Sequence, residues 1–349
     1  MKKYISMISV ALLLVMRPAV SFGDTDSEHL DRIAEKDSVN EAVDKGLTYL
    51  VSQQDTVTGT FKGSMPNTYT ALSCMALMAS GHLPGRSHYG ENLRRGILHL
   101  VRATQSNEGY LGQEGSARMY GHGICTLALC EAYGMMEEER DNALIKEALE
   151  RAIKIIINAQ ATTGIKRGGW RYNPKPGDAD LSVTAWQILA LRAAQNCQLE
   201  IPEKTITEAV DYIRRSYTPS HKGFSYSPGG SVSLAMRSAG VVCMNALGLT
   251  KNDKDKAMIR SAAEPLLNLD PKSGSHFYYQ TYYVATAANM AGEDYRENLL
   301  PKVESILMDL QLPTGEFRKH SGHEGGVYAT AFSVISLCVR YQFLPIYQE

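Results

Sequence analysis

From about residue 40 onward the chain alternates between two kinds of hydrophobic pattern. In the first, apolar residues fall on one stripe. Val43, Leu47, Leu50 and Val51 line up at helical spacing while Asp44, Lys45 and Gln53 turn outward, which predicts a helix over 43–53 with one buried face. The second kind has almost no charged side. The run TYTALSCMALM at 68–78 predicts a helix that must be covered all round. The pair then recurs: 92–105 with 121–133, 146–160 with 182–194, 206–217 with 234–247, 259–269 with 281–290, and 299–311 with 329–339. Segments of the first kind close on Gln53, Gln105, Gln160, Tyr217, Leu269 and Gln311, a spacing of roughly fifty residues that marks repeated supersecondary units.

A helix with one wet face belongs on the outside of a layered structure, and one with none belongs inside. Six outer and six inner helices follow. An open stack would need polar caps at its two ends, but the last inner segment, AFSVISLCV, is as apolar as those in the middle. The expected fold is therefore an all-α, α/α toroid of six helical hairpins, a single domain over 40–349. Within the units an aromatic follows a glycine in the turn: Gly59 with Phe61, Gly109 with Tyr110, Gly169 with Trp170, Gly223 with Phe224, Gly315 with Phe317. Glycine permits the reversal and the ring is expected to plug the seam between hairpins. Pro202, Pro265 and Pro301 are expected at or near the starts of outer helices, with Pro265 able to interrupt its own.

The first residues change the picture of where the chain works. Lys2 and Lys3, an apolar run from Ile5 to Met16, and the small residues Ser21 and Gly23 read as a secretory signal over 1–23, too short to span a membrane, followed by a polar leader arm over 24–39. The expected location is exported, periplasmic or extracellular. Removing residues 1–23, which carry Lys2, Lys3 and Arg17 and no acidic residue, takes the formal charge from −1 to −4. With no basic stripe, nucleic acid is not an expected partner, and no later stretch predicts an integral membrane span. Of the six cysteines, five lie inside apolar helical runs and Cys197 just past one, which favours packed thiols over bridges.

The Gly-Gly-Trp turn, the Asp-rich loop and the Thr-Ala-Trp-Gln helix start at 168–187, with the turns at Gly109-Tyr110, Gly223-Phe224 and Gly325-Gly326, resemble the repeats of squalene and terpene cyclases and of protein prenyltransferase β-subunits, over roughly residues 40–345. The resemblance implies an α/α barrel with an isoprenoid-binding central cavity. Class II terpene cyclases carry Asp-x-Asp-Asp before Thr-Ala, the middle Asp protonating an alkene or epoxide. Aligned on Thr184-Ala185, this chain reads Asp180, Leu181, Ser182, Val183. Only the first carboxylate is kept. The prenyltransferase zinc site, an Asp-x-Cys pair plus a His, becomes Asp180, Ser182 and a loosely aligned Gln280. Neither centre is intact, and no cofactor or metal is expected. His122 with Cys125 reads as a histidine capping a helix over a packed cysteine.

In a toroid the loops before inner helices share one rim, so their polar groups surround a single mouth over apolar walls. Candidate ligand-binding residues there are Trp170, Arg171, Tyr172, Trp186, Tyr120, His122, Arg237, Tyr278, Gln280, Tyr282, His323 and Glu324. Asp180 and Asp178 are the candidate catalytic residues, with a helix cap as the competing role for Asp180. The expected function is binding of a hydrophobic isoprenoid-like molecule or a peptide segment in the central cavity, through the mouth and the apolar bore beneath it. The alternatives are a cyclase or prenyl-converting enzyme using Asp180 or Asp178, and a carbohydrate-active enzyme using a pair such as Asp180 with Glu324.

Overall fold

A computed structural model of the chain describes residues 38–112, 118–268, 270, 276–320 and 325–348. The expected signal segment and most of the leader arm lie outside them. The outer helices are α1 (Ser38–Ser52), α3 (Gly90–Ser106), α5 (Glu139–Ala159), α7 (Glu203–Ser216), α9 (Asp253–Ala263) and α11 (Glu293–Met308). The inner ones are α2 (Pro66–Ala79), α4 (Arg118–Ala132), α6 (Leu181–Asn196), α8 (Leu234–Ala246), α10 (Phe277–Met290) and α12 (Gly326–Cys338). Each inner helix packs on the next, and α12 returns to α2, so the ring is closed. Every residue of α6 from Leu181 to Leu191 is buried, whereas α7 buries only Thr205, Glu208, Ala209, Tyr212, Ile213 and Ser216, one stripe at helical spacing. No helix among the described residues is long and apolar enough to cross a membrane.

The seams between units repeat one construction. Gln54 Nε2 donates to Gly59 O (3.0 Å) in its own turn and to Asn92 O (2.9 Å) in the first turn of the next outer helix. Gln160 does the same with Gly168 O (3.0 Å) and Thr205 O (2.9 Å). Gln311, with Gly315 O (3.2 Å) and Ala42 O (2.8 Å), joins the last unit to the first. Beside each clamp the turn glycine, at positive φ, lies so close to the next outer helix that a Cβ would meet the backbone of Arg95, Glu208 or Lys45. The aromatic after it, Phe61, Trp170 or Phe317, is fully buried and donates its backbone N–H to a threonine hydroxyl of the inner helix: Thr70, Thr184 or Thr330. Each buried Leu or Ile of the ring contributes about 1.5–3 kcal/mol, and each clamp hydrogen bond nets about 1 kcal/mol. Burial drives closure; the amides fix its register.

Several boundaries differ from the sequence expectation, for local reasons. α1 starts at Ser38 because Val39 extends the stripe of Val43 and Leu47, so residues 38 and 39 are helix and not leader arm. The clamp in the first unit is Gln54, with Gln53 turned out, and Gln105 faces solvent. Tyr217 does not end a helix. With Thr218 it forms a short antiparallel pair with Gly223–Phe224. At Pro265 the fifth outer helix gives way to a 3-10 turn over Glu264–Asn268, while Pro301 sits inside α11 because that helix begins well before the expected 299.

At the C-terminal ends of the inner helices the chain end crosses the ring. Tyr347 is buried, its backbone carbonyl accepts from Asn289 Nδ2 (3.2 Å), and its hydroxyl donates to Tyr282 OH (3.3 Å). Ile346 donates its N–H to Glu131, whose carboxyl is raised to about 8 by burial. A carboxyl raised on folding binds its proton more tightly in the native state, so it stabilises at low pH and loses that contribution as pH climbs to about 8. Thermal melts should therefore show stability falling from mildly acidic pH to about 8 and a flatter profile in Glu131→Gln; an identical slope in the variant would place the pH dependence elsewhere.

Candidate functional site

Asp180 stands at the N-cap of α6, fully buried, at the foot of the turn that carries Trp170, Arg171 and Tyr172. Its Oδ1 accepts from Val183 N (2.9 Å) and Ser182 Oγ (2.6 Å). Its Oδ2 accepts from the Tyr226 hydroxyl (3.0 Å) and lies 3.0 Å from Arg171 Nε, a contact that is electrostatic and not a well-aligned hydrogen bond. The neighbourhood is held by backbone: Met119 N donates to Tyr172 O (3.1 Å), Asp180 N to Trp170 O (3.0 Å), and Leu181 N to Tyr226 O (2.8 Å). Thus the starts of α4 and α6 and the turn before α8 form one assembly. Asp178 lies on its exposed edge, 2.6 Å from Arg171 Nη1 and 3.4 Å from Lys166 Nζ. Although partial burial opposes it, the Ala179 N–H, Arg171 and Lys166 together hold the Asp178 carboxyl below the usual range.

Around this carboxylate sits a ring of tyrosines. Tyr120 OH makes a short hydrogen bond with Ser182 Oγ, and its ring stacks on Tyr172 at 6.1 Å. Tyr172 OH and Tyr226 OH are 2.9 Å apart, and Tyr279 OH donates to Ser182 O (3.3 Å). Arg171 lies over the faces of Tyr172 (4.6 Å) and Tyr226 (5.9 Å). Tyr328 and Tyr69 continue the arc from α12 and α2, their rings 6.1 Å apart. Burial is the first cause that pushes the phenols of Tyr120, Tyr279 and Tyr226 up; the Asp180 charge comes next for Tyr120, after Tyr120 for Tyr279, and after the bond to Tyr172 for Tyr226. These phenols stay neutral donors. Beside Arg171 and Tyr172 the loop over 173–178 encloses a cleft of about 340 Å³.

Deeper along the axis the ring is filled. Trp186 stacks on Tyr282 at 5.2 Å with an interplanar angle of 9°, and Phe332 packs against both, at 6.3 and 5.6 Å.

The sequence-based candidates divide accordingly. Asp180, Arg171, Tyr172 and Tyr120 converge at the mouth, with Asp178 at its edge. The others are committed elsewhere. Trp170 plugs a seam and donates its indole N–H to Ile156 O (2.7 Å). His122 is buried between units, Nδ1 accepting from Leu111 N (3.2 Å) and Nε2 donating to Ala152 O (3.0 Å), and burial holds its imidazole down at about 4. Trp186 and Tyr282 belong to the axial plug. The Tyr278 hydroxyl donates to Arg318 O, and Arg237 donates to the carbonyls of His221 and Lys222. Gln280 is buried in the first turn of α10, and His323 and Glu324 lie outside the described residues. Missed were Tyr226, Tyr279, Tyr328 and the supporting Ser182. A signal existed: tyrosine recurs as the third residue of α4, α10 and α12 and the fourth of α2.

A closed double ring with its polar mouth at the N-terminal ends of the inner helices defines an α/α toroid. The family model of the prenyltransferase alpha-alpha toroid domain matches residues 27–168, 176–281 and 272–346, and the chain belongs to that family. Among solved structures it is similar to a type II terpene cyclase from Scytonema in complex with geranylgeranyl dihydroxybenzoate, with TM-score 0.57, 14% identity, and 92% of this chain and 99% of that one covered. It is also similar to the protein geranylgeranyltransferase-I of Candida albicans complexed with GGPP, with TM-score 0.56, 11% identity, and coverage of 89% and 93%. An inactive α-1,6-mannanase variant of Salegentibacter sp. HEL1_6, in complex with α-1,6-mannotetrose, aligns with TM-score 0.65, 10% identity, and coverage of 86% and 98%. Comparison with curated proteins finds no match.

The geometry makes Asp180 a structural acceptor as much as a candidate reactive group. Asp180→Ala should lower the unfolding free energy by about 2–4 kcal/mol, from the lost cap and the donors left unpaired, with the ion pair discounted because Arg171 is partly exposed. Asp180→Asn keeps the Oδ1 acceptor and should lose less. Urea titration decides: an Asp180→Ala protein as stable as the parent would remove the structural role.

Proposed function

We propose that the protein is an exported toroid that binds a hydrophobic, isoprenoid-like ligand at its tyrosine-lined mouth and performs neither cyclisation nor prenyl transfer. The observation that carries this reading is the state of Asp180: Oδ1 accepts from Val183 and Ser182, and Oδ2 accepts from Tyr226 and is ion-paired with Arg171. Protonating an alkene needs a neutral acid whose proton faces an apolar pocket, and no oxygen of Asp180 is left to present one. Asp178, exposed and between two cations, is no better placed. A zinc-activated thiolate needs three or four converging ligands, and the equivalent position here is Ser182, bonded to Asp180 and Tyr120.

The ligand class is supported by the terpene cyclase and the geranylgeranyltransferase, both solved with geranylgeranyl compounds. The faces of Tyr120, Tyr172 and Tyr226 offer aromatic surface for such a chain, and the guanidinium of Arg171 offers donors for a polar end. Because Trp186, Tyr282 and Phe332 fill the axis, the chain lies across the mouth instead of threading the ring. A peptide segment would use the same surface. Export rests on the Lys2-Lys3 start and the apolar run over 5–16. The carbohydrate alternative needs a second carboxylate opposite Asp180, and its candidate, Glu324, lies outside the described residues.

Calorimetric titration of the chain from residue 24 onward with geranylgeranyl diphosphate should give saturable binding, weakened about tenfold in Tyr172→Ala, with the compound recovered unchanged. Conversion of the compound that disappears in Asp180→Asn would overturn the binding-only reading, and new reducing ends from an α-1,6-mannan would replace it with the glycosidase.

A further inference from the structure

At the end of the ring opposite the mouth, two cysteines from different units meet. Cys130 lies in the last turn of α4 and Cys197 is the C-cap of α6. Cys197 Sγ donates to Cys130 O at 3.3 Å, and Cys130 Sγ donates to Ala190 O of the same neighbouring helix at 3.9 Å. Residues 67 apart are thus brought side by side, the thiol of one against the backbone of the other, by the packing of neighbouring inner helices. The other four cysteines are fully enclosed. Cys130 is buried, but Cys197 is half-buried, and both line a pocket of about 400 Å³ together with Glu131, Met135, Asn196 and Pro345. Glu131 brings a second feature: it is almost wholly buried, close enough for its charge to act on the Cys130 thiol, and its Oε2 has no hydrogen-bond partner among the described residues.

We propose that Cys130 and Cys197 form a reversible dithiol–disulfide couple, and that the pocket beside them admits a small-molecule disulfide as its oxidant. Cys197, the accessible member, is the attacking thiol. The neighbouring Cys130 thiol holds the Cys197 thiol below the ordinary value, outweighing the opposite effect of burial, so it has more of the thiolate that attacks. The thiolate of Cys197 forms a bond to one sulfur of the reagent while the reagent's own S–S bond breaks, and the other half leaves as a thiolate that takes a proton from water. Cys130 then loses its proton and attacks Cys197 Sγ. The mixed disulfide breaks, the second half leaves as a thiol, and Cys130 is bonded to Cys197. Two protein thiols are oxidised and one reagent disulfide is reduced to two thiols. The product would staple α4 to α6 at the end where the chain terminus crosses the ring, far in sequence from any existing covalent link. This couple is independent of the mouth and of what binds there.

The test uses the folded full chain and oxidised glutathione. Mass spectrometry of the intact protein, followed by peptide mapping, should show loss of two hydrogens and a Cys130–Cys197 linked peptide, reversed by dithiothreitol. Cys130→Ala should instead accumulate a lasting glutathione adduct on Cys197, and Cys197→Ser should take up none. Circular dichroism confirms that each variant is folded, and differential alkylation of the unmutated protein, with Cys197 labelled first, gives a readout free of mutation. A folded protein in which Cys197 resists oxidised glutathione, or one that stops at the mixed disulfide although Cys130 is present, would overturn the proposal.

Discussion

The constraint on which the rest of this structure depends is that an inner helix with no wet side must be covered on every side. For a helix such as α6, buried from Leu181 to Leu191, an outer partner covers one face and neighbours in the same ring must cover the flanks. Six such helices satisfy one another only if the last meets the first, as α12 meets α2. The clamps by Gln54, Gln160 and Gln311 follow from this demand. They do not supply the driving force, but they set how far each unit rotates onto the next. The turn glycines beside them let the backbones approach to a distance no side chain would permit.

Closure also creates the site. Once the ring is formed, the N-terminal ends of all inner helices lie on one side, and residues far apart in sequence become neighbours: Tyr120 touches Ser182, and Tyr279 reaches the same residue from the other direction. Asp180 belongs to both structure and site. It caps α6, pairs with Arg171 and anchors Tyr226, so the arrangement that could serve a ligand also holds three segments together. After Asp180 the chain carries Leu181, Ser182 and Val183 in place of further carboxylates, and an aromatic rim surrounds the one that is kept.

The architecture was legible in the sequence because it is written in wetness, and a helix that shows no polar stripe over eleven residues leaves little choice of place. The seam aromatics Phe61, Trp170 and Phe317 were legible through the glycines before them. What the sequence hid was direction. Trp170 and His122 sit in conspicuous motifs, yet their polar atoms turn to the carbonyls of Ile156 and Ala152 in the outer ring. Tyr226, in an irregular turn, carries no periodicity that would point it at Asp180. Trp186 and Tyr282 share helices with mouth residues, and only the crossing of those helices shows that they stack on the axis. The meeting of Cys130 with Cys197 depends on the same crossing.

The claim that matters most is that the ring is closed by contacts as strong at the α12–α2 junction as elsewhere. Native-state hydrogen exchange measures this directly. In a closed ring the core amides of α2 and α12 should exchange only through the same global opening that exposes those of α6, with equal free energies and equal denaturant dependence. An open array would fray from its ends, and separate, lower-energy exchange of α2 and α12 while α6 stays protected would contradict the account.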